Sequence, residues 1–102
     1  MKAQDYFDKY FAKADTLPTG ELYERSKAML HDMIGEFEQL KKARKAKTVS
    51  VVVGIVNELN AKWNAVANKV EQKCGERILK RNVLYNIVLH DAYPNDFPRK
   101  PD

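Results

Sequence analysis

The chain has one cysteine, four glycines that all stand far apart, four prolines and no uncharged run longer than ten residues. One cysteine excludes an intramolecular disulfide and any cysteine-rich metal site. Isolated glycines at 20, 35, 54 and 75 exclude the glycine-rich loops that cradle phosphates. The longest uncharged run, Thr48 to Asn57, is about half the length a membrane-spanning helix needs. Acids at Asp5 and Asp8 interrupt the opening segment, which is therefore not read as a secretion signal. The expectation is a cytoplasmic protein, and the unpaired Cys74 fits a reducing compartment.

What is present is an ordinary globular composition. Of 102 residues, 44% are hydrophobic and 31% charged, enough apolar side chain for one small core. Tyr6, Phe7, Tyr10 and Phe11 share one face of a helix over 3–15. A turn at Leu17-Pro18-Thr19-Gly20 precedes a long helix over 20–47, whose apolar seam runs Leu22, Ser26, Met29, Leu30, Met33, Phe37, Leu40. Past Leu40 only Ala43 and Ala46 continue the seam, so the last two turns are expected to project from the core.

Two segments read both ways. In 48–56 the β-branched residues alternate as in a strand, yet Val52, Ile55, Val56, Leu59, Trp63, Val66 and Val70 form one helical stripe. The longer pattern favours a single helix from about 50 to 74, closed by Gly75. Residues 76–91 are apolar on most sides as a helix. As a strand they place Asn82, Leu84, Asn86, Val88 and His90 on one face. The fold expected is all-α: a four-helix bundle with a long central antiparallel hairpin over residues 1–91, then an extended proline-rich tail over 92–102 that Tyr93 and Phe97 pin down. The alternative is an α+β fold with a βαβ unit and strands near 49–55 and 82–90.

No catalytic signature emerges. His31 and His90 are far apart, and two histidines and one cysteine match no metal-ligand spacing. Asp32 and Glu36 are an i, i+4 carboxylate pair read as part of a solvated acidic face, and Cys74 at a helix C-terminus is read as packed and unreactive. Ser26 and Ser50 lack a base or an elbow motif. The chain is read as no enzyme, without cofactor or metal.

Two patterns point elsewhere. Residues 1–40 carry five basic and eight acidic groups, net −3, whereas 41–102 carry thirteen and six, net +7. Lys41, Lys42, Arg44, Lys45 and Lys47 form the densest run, with a second cluster at Lys73, Arg77, Lys80 and Arg81. These are the candidate phosphate contacts of a nucleic-acid or nucleoprotein binder. Asn57, Asn60, Asn64 and Asn68 fall on one line of the third helix, opposite its apolar stripe, and suggest a protein-contact face. The leading expectation is therefore a small regulatory protein that binds nucleic acid through a basic helix end. The alternative is a protein-interaction module, homo-oligomer or inhibitor-like adaptor, using the asparagine face, the acidic helices or the tail. Trp63, mid-stripe, is expected to anchor the core.

Overall fold

The structure, a computed structural model, describes residues 1–101. It is all-α, with four helices and no strand among the described residues. Helix α1 is Ala3–Tyr10, α2 is Thr19–Ala43, α3 is Val49–Cys74, and α4 begins at Val83–Tyr85 and continues through wider π-type turns over Asn86–His90. Extents of 43 × 27 × 18 Å follow the length of α3, about 38 Å at helical rise. None of the helices is long and apolar enough to cross a membrane, among the described residues.

The core is built around α3. Ile55, Val56, Leu59, Trp63, Val66, Ala67 and Val70 are all buried on it. They meet Leu22, Met29, Met33 and Phe37 of α2 and the rings of Tyr6, Phe7 and Phe11. These are the stripes the helical periodicity predicts, because residues three and four apart lie on one face.

The strand alternative is overturned at both places. The valine-rich 49–55 opens α3, where the Thr48 hydroxyl accepts from the Val51 amide at 3.4 Å and starts the helix. Residues 83–90 are helical. Residues 76–82, expected to belong to a helix over 76–91, are not. Gly75 takes φ 75 and reverses the chain, and its amide donates to the Glu71 carbonyl at 2.7 Å. The return segment is then claimed from outside. Trp63 Nε1 donates to the Lys80 carbonyl at 2.8 Å, an acceptor a helix would need for itself. Since Gly75 sits where side chains are strained, Gly75→Ala should cost about 1 kcal/mol and lower the melting temperature by about 4–8 °C, read by thermal unfolding.

Two boundaries also differ from expectation. The first helix stops at Tyr10, and a 3₁₀ turn at Ala14–Thr16 carries the chain round with Ala14 fully buried. The second stops at Ala43, not 47, so no free helical turns project. Ala46 N donates to the Lys41 carbonyl and Lys45 N to the Lys42 carbonyl, a Schellman closure with Lys45 left-handed at φ 49. Past α4 the chain turns at Tyr93, and Phe97 packs back on the core with its ring 6.2 Å from that of Tyr93. Tyr93 itself is largely exposed.

Candidate functional site

The basic run lies at the α2–α3 connection. Its five cations are not equivalent. Lys41 pairs with Glu38 at 3.4 Å and lies 4.9 Å above the Phe37 ring. Arg44 pairs with Glu58 on α3 at 2.7 Å. Lys42, Lys45 and Lys47 stand exposed, and no carboxylate among the described residues pairs with them. Lys45 takes the left-handed position of the Schellman closure, with Lys42 three residues before it and Lys47 two after it.

The second cluster does not join the first. Val49 and Cys74 are the two ends of α3, about 38 Å apart, so Lys73 is remote from the tip. Lys73 Nζ lies 5.8 Å above the Phe7 ring. Lys80 and Arg81 are exposed, but their carbonyls sit against Trp63 and Asn64, about 20 Å along α3 from Val49. Arg77 turns inward. Its guanidinium donates to Asn64 Oδ1 at 3.0 Å and Asn68 Oδ1 at 2.7 Å, and it meets Glu71 at 3.3 Å. The nine cations therefore form no continuous surface, and Arg77 is spent on the fold.

The same contacts account for much of the asparagine line. Asn64 and Asn68 receive Arg77, and Asn64 Nδ2 also donates to the Asn60 carbonyl at 3.1 Å. These residues staple the return segment 76–82 to α3, while Asn57 remains exposed. Sequence spacing places the four on one line but does not show that the chain doubles back over it.

Neither a family model, nor a curated protein, nor a solved structure matches this chain.

The carboxylate pair of α2 is not the solvated face expected. The Tyr6 hydroxyl donates to Glu36 and the Tyr10 hydroxyl to Asp32, clasping α1 to α2. Lys9 lies 2.9 Å from Asp32, and Lys62 of α3 lies 3.6 Å from Glu36. A cleft of about 430 Å³ opens beside Tyr6, Glu36 and Gln39. Burial pushes the Glu36 carboxyl up, but the Tyr6 hydroxyl, the Met1 amino group and Lys62 outweigh it and hold it below the usual carboxylate range. Hydrogen bonds from Tyr10 and then Lys9 hold Asp32 low as well. Burial and then the Glu36 bond push Tyr6 far above an ordinary tyrosine.

The signs of these shifts fix a pH dependence. Lowered carboxyls contribute stability that is present above about pH 4, the unfolded value, and is lost as pH falls through their folded values. The raised Tyr6 contributes stability present below about pH 10 and lost as pH rises beyond it. Urea midpoints should therefore hold between these limits and fall on both sides. Glu36→Gln should flatten the acid limb, and an unchanged limb would remove the clasp from the account.

Among the other candidates, the Cys74 thiol donates to the Val70 carbonyl at 2.9 Å, and His31 is exposed. Asn82, just before α4, and Tyr85, Asn86 and His90 on it, none of which the sequence assigns to a site, all bond to the chain that follows them.

Proposed function

We propose that this chain is a small non-enzymatic regulatory protein that binds a polyanion, with nucleic acid as the leading partner, through the tip between α2 and α3. The observation that carries the reading is Lys45. It adopts the left-handed conformation at a helix C-terminus, where glycine is favoured and a side chain costs about 1 kcal/mol. A strained residue of this kind directs attention to function. Here the strained residue is a lysine without a carboxylate partner among the described residues, flanked by Lys42 and Lys47 in the same state. Three cations so placed suit phosphate oxygens.

The tip is held by the two long helices, which we take as an antiparallel hairpin within a helical bundle. The pairs Arg44–Glu58 and Glu36–Lys62 support that arrangement, since partners on α3 move later in the chain as those on α2 move earlier. A body over 1–91 and a following segment over 92–102 remain our division of the chain, residue 102 lying outside the described part.

A second reading, a protein-interaction module, draws support from a depression of about 260 Å³ where Ile34, Val52, Ile87 and Tyr93 lie with Glu38 and Lys41, and from the exposure of Val49 and Val51 in the first turn of α3. The deciding experiment is titration of the protein against generic duplex DNA and RNA over a range of salt. Affinity that falls steeply as salt rises supports the phosphate reading. Absence of affinity at low salt overturns it.

A further inference from the structure

Asn82 at the N-cap of α4 and the face of the helix behind it form a row of hydrogen-bonding side chains laid against the chain that follows. Asn82 Nδ2 donates to the Pro101 carbonyl at 2.6 Å, and the Tyr85 hydroxyl to the Pro98 carbonyl at 3.2 Å. Asn86 is 3% exposed and grips residue 100 twice: Nδ2 donates to the Lys100 carbonyl, and Oδ1 accepts from the Lys100 amide, both at 2.9 Å. His90 Nδ1 lies 2.8 Å from the Phe97 carbonyl, and because a carbonyl only accepts, that nitrogen carries the proton. Lys100 Nζ sits 4.2 Å above the Tyr85 ring, and the Phe97 ring meets the same ring edge-on at 6.4 Å.

Three features make this more than a tail folded on a surface. First, the peptide runs opposite to α4. Asn82 meets the carbonyl of residue 101, Asn86 that of residue 100 and His90 that of residue 97, so later positions on the helix meet earlier ones on the peptide. Second, the chemistry is complementary. Proline has no amide proton, so a segment with Pro98 and Pro101 offers mainly carbonyls, and α4 offers four donors to them. The amide of Lys100, between the prolines, meets the acceptor Asn86 Oδ1. Third, the hydrogen bonds all go to backbone, so they read the conformation and proline spacing of the peptide. The cation over Tyr85 and the aromatic beside it read side chains.

We propose that the face formed by Asn82, Tyr85, Asn86 and His90 is a peptide-binding slot for extended, proline-spaced basic segments of another protein, and that residues 97–101 occupy it in cis as a tethered competitor. The loop between His90 and Phe97 is short, so the tether presents the tail at a high effective concentration, of millimolar order for short connections. An incoming segment must displace it. Binding and release of the tail are thereby coupled.

The test uses the full chain and a fluorescein-labelled peptide copy of residues 95–101. Lys100→Gly weakens the tail without touching the core, by removing the cation over Tyr85 and loosening the backbone. The labelled peptide should bind Lys100→Gly about tenfold more tightly than the unsubstituted chain. Adding Asn86→Asp, which removes the donor and keeps the shape, should reduce that binding at least tenfold. Adding Asn82→Ala instead, at a less buried position, should do the same and guards against misfolding at Asn86. A peptide with both prolines replaced by alanine should bind at least tenfold more weakly. Peptide that fails to bind Lys100→Gly at millimolar concentration overturns the proposal, as does binding that ignores both asparagine substitutions. A dimer that Lys100→Gly disperses would instead assign the slot to the tail of a second copy, and would equally overturn a slot for a foreign segment.

Discussion

Replacing Trp63 by alanine should lower the stability of the fold by about 3–5 kcal/mol. A domain of this size has about 5–15 kcal/mol in total, so the variant stands near unfolding at ambient temperature. The magnitude follows from two roles of one side chain. The ring is 2% exposed, between Leu59 and Val66 on the stripe of α3, and its removal leaves a void that close packing cannot absorb. The indole N–H also holds the Lys80 carbonyl, so the return segment 76–82 loses one of its attachments to α3. Trp63→Phe separates the two. It keeps most of the volume and loses the hydrogen bond, which is worth about 1 kcal/mol, and should fall between the parent and the alanine variant. Denaturant unfolding gives the order, and tryptophan emission, blue-shifted in the folded chain, gives the burial. An alanine variant that unfolds with the parent would remove Trp63 from the core.

That role was legible in the sequence because a stripe of seven residues has only one periodicity that fits it. The apolar seams of α2 and α3 are visible for the same reason. Shorter segments are not. Asn82, Asn86 and His90 are spaced by four, and a spacing of four returns to the same face in a strand as in a helix. Their shared face can thus be read without knowing the element, and without any sign of what covers it. The end of α2 is not legible in the sequence, because nothing in KKARKAK breaks a helix. The break comes from Lys45 adopting a conformation that lysine seldom takes.

The asparagine line shows a different limit. Periodicity puts Asn60, Asn64 and Asn68 in a row, but the partner that occupies Asn64 and Asn68 is Arg77, brought there by the reversal at Gly75. A cation counted toward a binding surface and two amides counted toward a contact face cancel against each other inside the fold. The same holds on α2. Asp32 and Glu36 read as surface acids until the hydroxyls of Tyr10 and Tyr6 arrive from α1. Sequence patterns locate polar groups, and the tertiary fold decides which of them remain available to a ligand.

Applied to the basic run, that sorting gives the second large effect. Substituting Lys42, Lys45 and Lys47 together by glutamine should abolish binding to generic duplex DNA. If each of the three contacts one phosphate, the parent should show log K against log salt with a slope of about −2.7, near 0.9 for each contact. Lys45→Gly alone should reduce the slope by about 0.9. It should also raise stability by up to about 1 kcal/mol, because glycine takes φ 49 without strain. Opposite movement of affinity and stability in one variant is the signature of a strained binding residue. Substituting Lys73, Lys80 and Arg81 should leave the slope nearly unchanged, since they lie about 20–38 Å along α3 from the tip. Asn64→Ala should cost stability, through the loss of an acceptor for Arg77, and leave affinity alone. The triple variant should melt within about 0.5 kcal/mol of the parent, because all three side chains are exposed and unpaired among the described residues. Binding that survives the triple substitution with an unchanged slope would detach the tip from nucleic acid and leave its lysines as a solvated helix end.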